Sequence, residues 1–571
     1  MKTPSYIKEQ IQAATNEITP DLVFKNITFT NLFTKEYETA DVAIHNGKFA
    51  GIGTYKGKQE IDGEGMVMVP GLIDAHVHIE SSMLCPSQFE KLVLPHGVTT
   101  VITDPHEIAN VEGTKGIRWM LEESEKCFMN ILYQLPSCVP ATSFEDNGAD
   151  LSAEDLEPFY QHERVLGLAE VMDFPAVLSC QTQMLEKLAG ARKHGVTIDG
   201  HGAGLSGKQI NAYMVAGITT DHECVAPEEM IERVRRGMYV MLREGSAARN
   251  LKDLLKGYSD SFADRLLFCT DDKHIDDVLA EGSINFHVRE CLKQGLDVFS
   301  VLRMASLNAA QCYGLNGKGA IAPGYDADFI LLSDLKTFQI ESVWVKGEKY
   351  EETEMNAKEM PFNNTVVLGS YTKENLQLEI ESGKARVIEV IPGSIVTRNV
   401  QYPVAVKDGV FTPDTNEDLL KLAVVERHKG SGQVGLGIVK GFELKKGAIA
   451  TTIAHDSHNI ICLGVSDEDM DAAIRHLEQT GGGIAVSEGG KFIASLDLPI
   501  GGLMTAVSPE KLNADYEKLL EAIRCLGVTT AFAPLLTLSF LALPVIPSLK
   551  LTNKGLFDVE RFEFVSVSVV D

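Results

Sequence analysis

Apolar and polar positions fall into distinct textures along the chain. Over residues 22–69, short alternations of apolar and polar residues are broken by Asn46-Gly47 and by Asp62-Gly63-Glu64-Gly65. Period-two alternation between such turn residues predicts short strands joined by hairpins. From about Gly71 to Leu315, apolar runs alternate with stretches such as Met184-Leu185-Leu188-Ala191, whose apolar spacing is helical. Three joints repeat one design: His96-Gly97-Val98-Thr99-Thr100, His194-Gly195-Val196-Thr197-Ile198 and Ala216-Gly217-Ile218-Thr219-Thr220. In each, glycine can end a helix in the left-handed conformation and β-branched residues then begin a strand. Strands are predicted to end near His78, Thr103, Pro136, Glu170, His201, His222, Leu242 and Asp271. Strands alternating with helices over this length have the rhythm of a (β/α)8 barrel, with a doubly wound open sheet as the main competitor.

The first texture returns over Gly319–Lys346, where Ala322-Pro323-Gly324-Tyr325-Asp326-Ala327-Asp328 leads into an apolar run. These two stretches are expected to pair across the intervening domain. Beyond Pro361 the pattern mixes strands and helices, with turns at Gly481-Gly482-Gly483 and Gly489-Gly490 and a helix over Pro509–Cys525. Gly527-Val528-Thr529-Thr530 reads as a further helix-to-strand joint. The expected class is therefore α/β: a TIM-type barrel with a split small β-sandwich domain and an additional C-terminal α+β domain. The divisions are 1–70 (N-terminal helix and first part of the β domain), 71–318 (barrel), 319–360 (second part of the β domain) and 361–571 (C-terminal domain, placed to cover the active site).

Composition narrows the function classes. At 571 residues with 44% hydrophobic and 23% charged residues, the chain fits a multidomain globular protein. A formal charge of -28, with no block of Lys and Arg, argues against a nucleic-acid surface. The polar stretch Met1–Pro20 resembles an amphipathic helix, not a secretion signal. The apolar segment from Ala531 to Ile546 is interrupted by Pro534 and Pro544 and followed by Pro547, which favours a buried core segment over a membrane span. Ten dispersed cysteines without C-x-x-C spacing suit reduced thiols in the cytoplasm, and a homodimer is the expected assembly of a soluble enzyme.

Barrel enzymes carry their chemistry at the C-terminal ends of the strands. Those ends here hold His76 and His78, Glu170, His201, His222 and Asp271. Each alone has a bland account, a structural histidine or a helix cap. Together, four imidazoles and two carboxylates are what two borderline divalent cations require. His76, His78 and Asp271 are expected on one ion and His201 and His222 on the other, with Glu170 bridging. Metal-bound water would be the nucleophile and Asp271 its proton acceptor. Ligand type alone leaves Mn, Fe, Zn and Co open.

Pro70-Gly71-Leu72-Ile73-Asp74-Ala75-His76-Val77-His78 resembles the first-strand signature of the amidohydrolase superfamily. Within it, Ile79-Glu80-Ser81-Ser82-Met83-Leu84, Thr103-Asp104-Pro105-His106-Glu107-Ile108-Ala109-Asn110, Arg243-Glu244-Gly245-Ser246-Ala247, Thr270-Asp271-Asp272-Lys273-His274 and Ala454-His455-Asp456-Ser457-His458-Asn459-Ile460 resemble the bacterial adenine deaminases. Many members of the superfamily bridge their metals with a carboxylated lysine, whereas the resemblance implies Glu170 here. His201 is followed by Gly202-Ala203-Gly204, without the glutamate of adenosine-type deaminases. The resemblance implies hydrolysis of a purine base, adenine, to hypoxanthine and ammonia by a hydroxide bridging two divalent ions, with Mn2+ or Fe2+ favoured and Zn2+ possible. Glu223, Glu107 or Asp272 would protonate the ring, and each has a hydrogen-bonding alternative. His106 and His274 are expected to face the substrate or a further ion, Arg243 and Ser246 to frame the purine, and His455 and His458 to reach over from the C-terminal domain. A cyclic-amide hydrolase or amino-sugar deacetylase on the same barrel is the alternative, and a noncatalytic scaffold the other class.

Overall fold

The computed structural model describes residues 3–353, 363–529 and 532–569. Five parallel strands run in the order Thr197–Gly200, Val165–Val171, Asn130–Leu135, Val98–Thr103 and Leu72–Val77. Three more, Thr220–Asp221, Tyr239–Arg243 and Leu266–Cys269, form a second parallel sheet. Hydrogen bonds cross both seams: Thr219 N–H donates to Ile198 O (3.2 Å), and Asp271 N–H donates to His76 O (2.9 Å). All eight strands end at or within two residues of the predicted positions.

The strands alternate their side chains. Ile73, Ala75, Ile102, Met241, Leu267 and Cys269 form one interior cluster, which Ala309, Ala310 and Tyr313 complete. The opposite faces pack on the surrounding helices in the largest apolar cluster. The joints behave as their residues dictate: Gly97 (φ 83°) and Gly195 (φ 67°) cap their helices in the left-handed region, and strands start within two residues.

The stretches flanking this parallel unit share one eight-stranded sheet. Phe329–Asp334 lies antiparallel to Val67–Pro70, so the chain leaves the sheet, makes the parallel unit and returns beside its point of departure. Asn46 (φ 49°) and Gly47 (φ 74°) make the expected hairpin turn. The turn around Gly63–Gly65 makes no hairpin: Gln59–Asp62 and Val67–Pro70 each pair parallel with the strand Leu22–Asn31. The expected boundary near 360 lies outside the described residues.

A second eight-stranded sheet, covered by the helices Asp467–Thr480 and Pro509–Cys525, dominates the C-terminal part. Gly527 (φ 90°) follows the second helix, but the described residues after it lead into another helix, Pro534–Phe540. The expected helix-to-strand joint is therefore corrected; its Thr530, like Ala531, lies outside the described residues. Pro534 sits at the start of the new helix, where the missing N–H costs nothing. No helix among the described residues is long and apolar enough to cross a membrane. The C-terminal part docks on the parallel unit: Cys85 N–H donates to Thr505 O (2.9 Å) and Asn459 Nδ2 to Asp146 O (2.7 Å).

Candidate metal centre

Alternation along Leu72–Val77 sends His76 and, just past the strand, His78 to the same side. Their rings stand edge to face with centroids 4.8 Å apart. Asp271 follows the last parallel strand in a left-handed conformation (φ 57°), which aspartate tolerates better than most side chains. Its backbone is pinned between the histidines, accepting from His78 N–H (3.3 Å) and donating to His76 O.

Six side chains predicted from distant strand ends meet here. Glu170 Oε1 lies 3.3 Å from His78 Nε2 and 3.8 Å from His76 Nε2, whereas Oε2 lies 2.7 Å from His201 Nδ1 and 3.1 Å from His222 Nε2. Asp271 Oδ1 adds contacts of 3.5 Å and 3.1 Å to His76 and His78. Buried His76 Nε2 and His222 Nε2 make no hydrogen bond despite these neighbours. Unbonded nitrogens facing carboxylate oxygens are what a shared cation would satisfy, so this donor set fits divalent metal ions. His78 Nδ1 faces the carbonyl of Asp104 (3.1 Å), which places the proton on that nitrogen and leaves Nε2 turned to the carboxylates.

The charges are arranged accordingly. Burial opposes ionisation of Asp271, but Arg243 and then the contacts with His76 and His78 hold its carboxyl well below the usual range. Burial likewise opposes ionisation of Glu170, and the facing His201, His222 and His78 rings reverse the effect. His76 is pushed down by burial and by His222, stacked on it at 4.3 Å. Burial lowers His78 too, but Asp271 and Glu170 raise it well above its ordinary value.

Around this cluster the predicted residues divide. Arg243 donates to Asp271 Oδ2 (2.7 Å) and also to Glu223. Burial raises Glu223, but Arg243, His201 and His222 outweigh it and keep the carboxyl low. His106 Nδ1 sits 3.1 Å from Asp104 Oδ2 and 3.6 Å from Glu170 Oε1. Ser81 Oγ links Asp272 (2.5 Å) to Glu107 (3.3 Å). Burial, then repulsion from Glu80 and Asp272, pushes Glu107 well above the usual carboxyl range. His455 and His458, from the C-terminal part, approach Glu107 at 3.9 Å and 3.8 Å. His274 lines a small cavity with Ser81, Met83, Ile453, His455 and Leu535. Ser246 is not with the cluster: its hydroxyl donates to Asp277 and accepts from His274 N–H, fixing the loop.

Asp104, Glu80 and Ser81 were missed as site residues in the sequence. Asp104 follows the second parallel strand, so the strand-end rule already used for Glu170 points to it. Glu80 and Ser81 lie in the short turn after His78, where only proximity to the histidine pair marks them.

Two family models match the chain: the amidohydrolase family over residues 67–349, and the adenine deaminase C-terminal domain over residues 394–563. A Bacillus velezensis protein named adenine deaminase is 50% identical over 98% of this chain and 99% of its own length. One of the same name from Geobacillus kaustophilus is 50% identical over 99% of this chain and 100% of its own. Among solved structures, a β-aspartyl dipeptidase from Fervidobacterium islandicum AW-1 aligns at 21% identity and a TM-score of 0.43, over 57% of this chain and 96% of that one.

Proposed function

The chain belongs to the adenine deaminase family of amidohydrolases, hydrolases that convert adenine to hypoxanthine and ammonia, and we propose that its converging strand-end residues form the binuclear centre for that reaction. The observation that carries this reading is the division of Glu170, with one oxygen toward His76 and His78 and the other toward His201 and His222. His76 and His78 with Asp271 would hold one divalent ion, His201 and His222 the other, and Glu170 both. Mn2+ or Fe2+ suits these ligands, as does Zn2+. Bound there, such ions polarise a water toward hydroxide and stabilise negative charge on the adduct.

The chain's own groups do the rest. Arg243 keeps Asp271 ionised, so Asp271 Oδ2 or Oδ1 can take the proton released as water adds to carbon 6 of the purine and return it to the departing amine. Glu223, held as a carboxylate by Arg243, is a poor proton donor, which leaves Asp272 and Glu107, joined through Ser81, as the candidates to protonate the ring. His106, oriented by Asp104, faces the same space.

We read the eight parallel strands as one closed (β/α)8 barrel, residues 71–318, carried on the split β unit. The C-terminal unit covers its mouth through the Ala454–Asn459 loop. Ten free cysteines support a reducing, cytoplasmic setting, and a homodimer completes the reading. The test is direct: Mn-loaded protein should consume adenine and release ammonia in equal amounts. Turnover of a cyclic amide or an acetylated amino sugar, with none of adenine, would overturn the assignment.

A further inference from the structure

His201 and His222 follow neighbouring strands, Thr197–Gly200 and Thr220–Asp221, that belong to different sheets. The other seam between those sheets is registered by main chain, because Asp271 bonds through its backbone to His76 and His78. Between His201 and His222 a main-chain bond, Thr219 N–H to Ile198 O, falls short of both histidines, and Gly200 N–H turns instead to the Thr220 hydroxyl (3.1 Å). Beyond that point side chains join the two strand ends.

Asp221 alternates with His222 and so points away from it, toward Arg233 on the helix Pro227–Arg235. Both residues are 1% exposed, and Arg233 Nε donates to Asp221 Oδ2 at 2.5 Å. Burial opposes ionisation of the carboxyl, and Arg233 outweighs it. The other oxygen, Oδ1, accepts from Gly202 N–H (3.0 Å) and from Glu223 N–H (2.9 Å). Each of those N–H groups belongs to the rigid peptide plane that leaves a histidine, the first His201 and the second His222. One carboxylate oxygen therefore holds both planes. Arg233 Nη2 closes the ring by donating to Gly202 O (2.7 Å). Glycine admits this approach, since a Cβ at position 202 would lie 2.6 Å from Asp221 Oδ2. On its other side His201 donates its own N–H to the Tyr213 hydroxyl (2.9 Å), which donates to Val171 O beside Glu170 (2.6 Å).

We propose that the buried Asp221–Arg233 pair positions His201 and His222 relative to each other, and so sets the affinity for the ion assigned to them without setting that of the ion at His76, His78 and Asp271. The inference rests on the binuclear reading above. The selectivity follows from the contacts: the bonds of the pair go to the residues after His201 and His222, and none of those named reaches His76, His78 or Asp271. Groups that orient metal ligands in this way govern affinity through geometry, and the reacting atoms stay untouched.

The test titrates metal-free full-length protein with Mn2+ by calorimetry and counts the metal retained after desalting. The parent should bind two ions. Arg233→Met and Asp221→Asn should each weaken one of them by about 10–100-fold and leave the other unchanged. Gly202→Ala, which crowds the carboxylate without removing either charge, should act in the same direction. Adenine turnover lost at low Mn2+ should return when Mn2+ is raised. Breaking a buried ion pair costs stability, so melting curves identify a charge variant that has failed to fold, and Gly202→Ala then decides. Equal weakening of both ions, or unchanged affinities in folded variants, would overturn the inference and leave the binuclear reading standing. A parent that binds a single ion would overturn that reading, and this inference with it.

Discussion

Arg243 donates to Asp271 Oδ2 at 2.7 Å, while the other oxygen of that carboxylate faces His76 and His78. One buried guanidinium thus fixes both the charge and the orientation of the group assigned to move the proton. The same guanidinium also holds Glu223. Replacing it by Gln should leave two buried carboxylates poorly compensated, costing about 3–5 kcal/mol of stability. Turnover should fall by about 100-fold or more as proton transfer is lost. Chemical denaturation and steady-state kinetics on Arg243→Gln check both; near-parental turnover would show that Asp271 does not depend on it.

Glu170 owes its position to a glycine three residues earlier. A Cβ at Gly167 would lie 2.0 Å from Thr197 O on the neighbouring strand and 2.2 Å from Gln134 Oε1. Gly167→Ala must therefore push these strands apart, with an expected cost of about 3 kcal/mol. Metal affinity should drop with it, because Glu170 and His201 sit at the ends of the two displaced strands. Thermal melting together with metal retention through gel filtration reads the effect.

Lys550, in the C-terminal part, provides a pH signature of stability. Burial pushes its ammonium down to about 7 from an ordinary 10.5, and it donates to Ile395 O and Phe540 O. Between these values the unfolded chain holds a proton that the folded chain has lost, so this group makes stability rise with pH from about 7 to about 10.5. Below about 7 the penalty of the buried charge is present in full and constant. Relative to Lys550→Met, the parent should gain stability across that window and show a flat difference below it. A flat difference throughout would show that the group keeps its ordinary value.

Much of this was legible in the chain because local rules and global fold agree. Glycine followed by β-branched residues located the strand starts, and polar residues closing apolar runs located His76, His78, Glu170, His201, His222 and Asp271. The reading failed where a local signal has more than one tertiary outcome. Gly63–Gly65 makes a turn, but both strands beside it join a third. Gly527 ends a helix and the chain then enters a second one. The partnership of Glu107 with His455 and His458 joins residues some 350 positions apart, as the sequence numbering shows, and only the packing of the two units reveals it.

The central claim is that Glu170 is shared by two cations, and metal stoichiometry tests it most directly. Metal-free protein titrated with Mn2+ should reach full adenine turnover at about two bound ions per chain, and Glu170→Gln should bind fewer and stay inactive. Saturation of activity at one ion, or a Glu170→Gln variant that retains two ions and turns over adenine normally, would contradict the account.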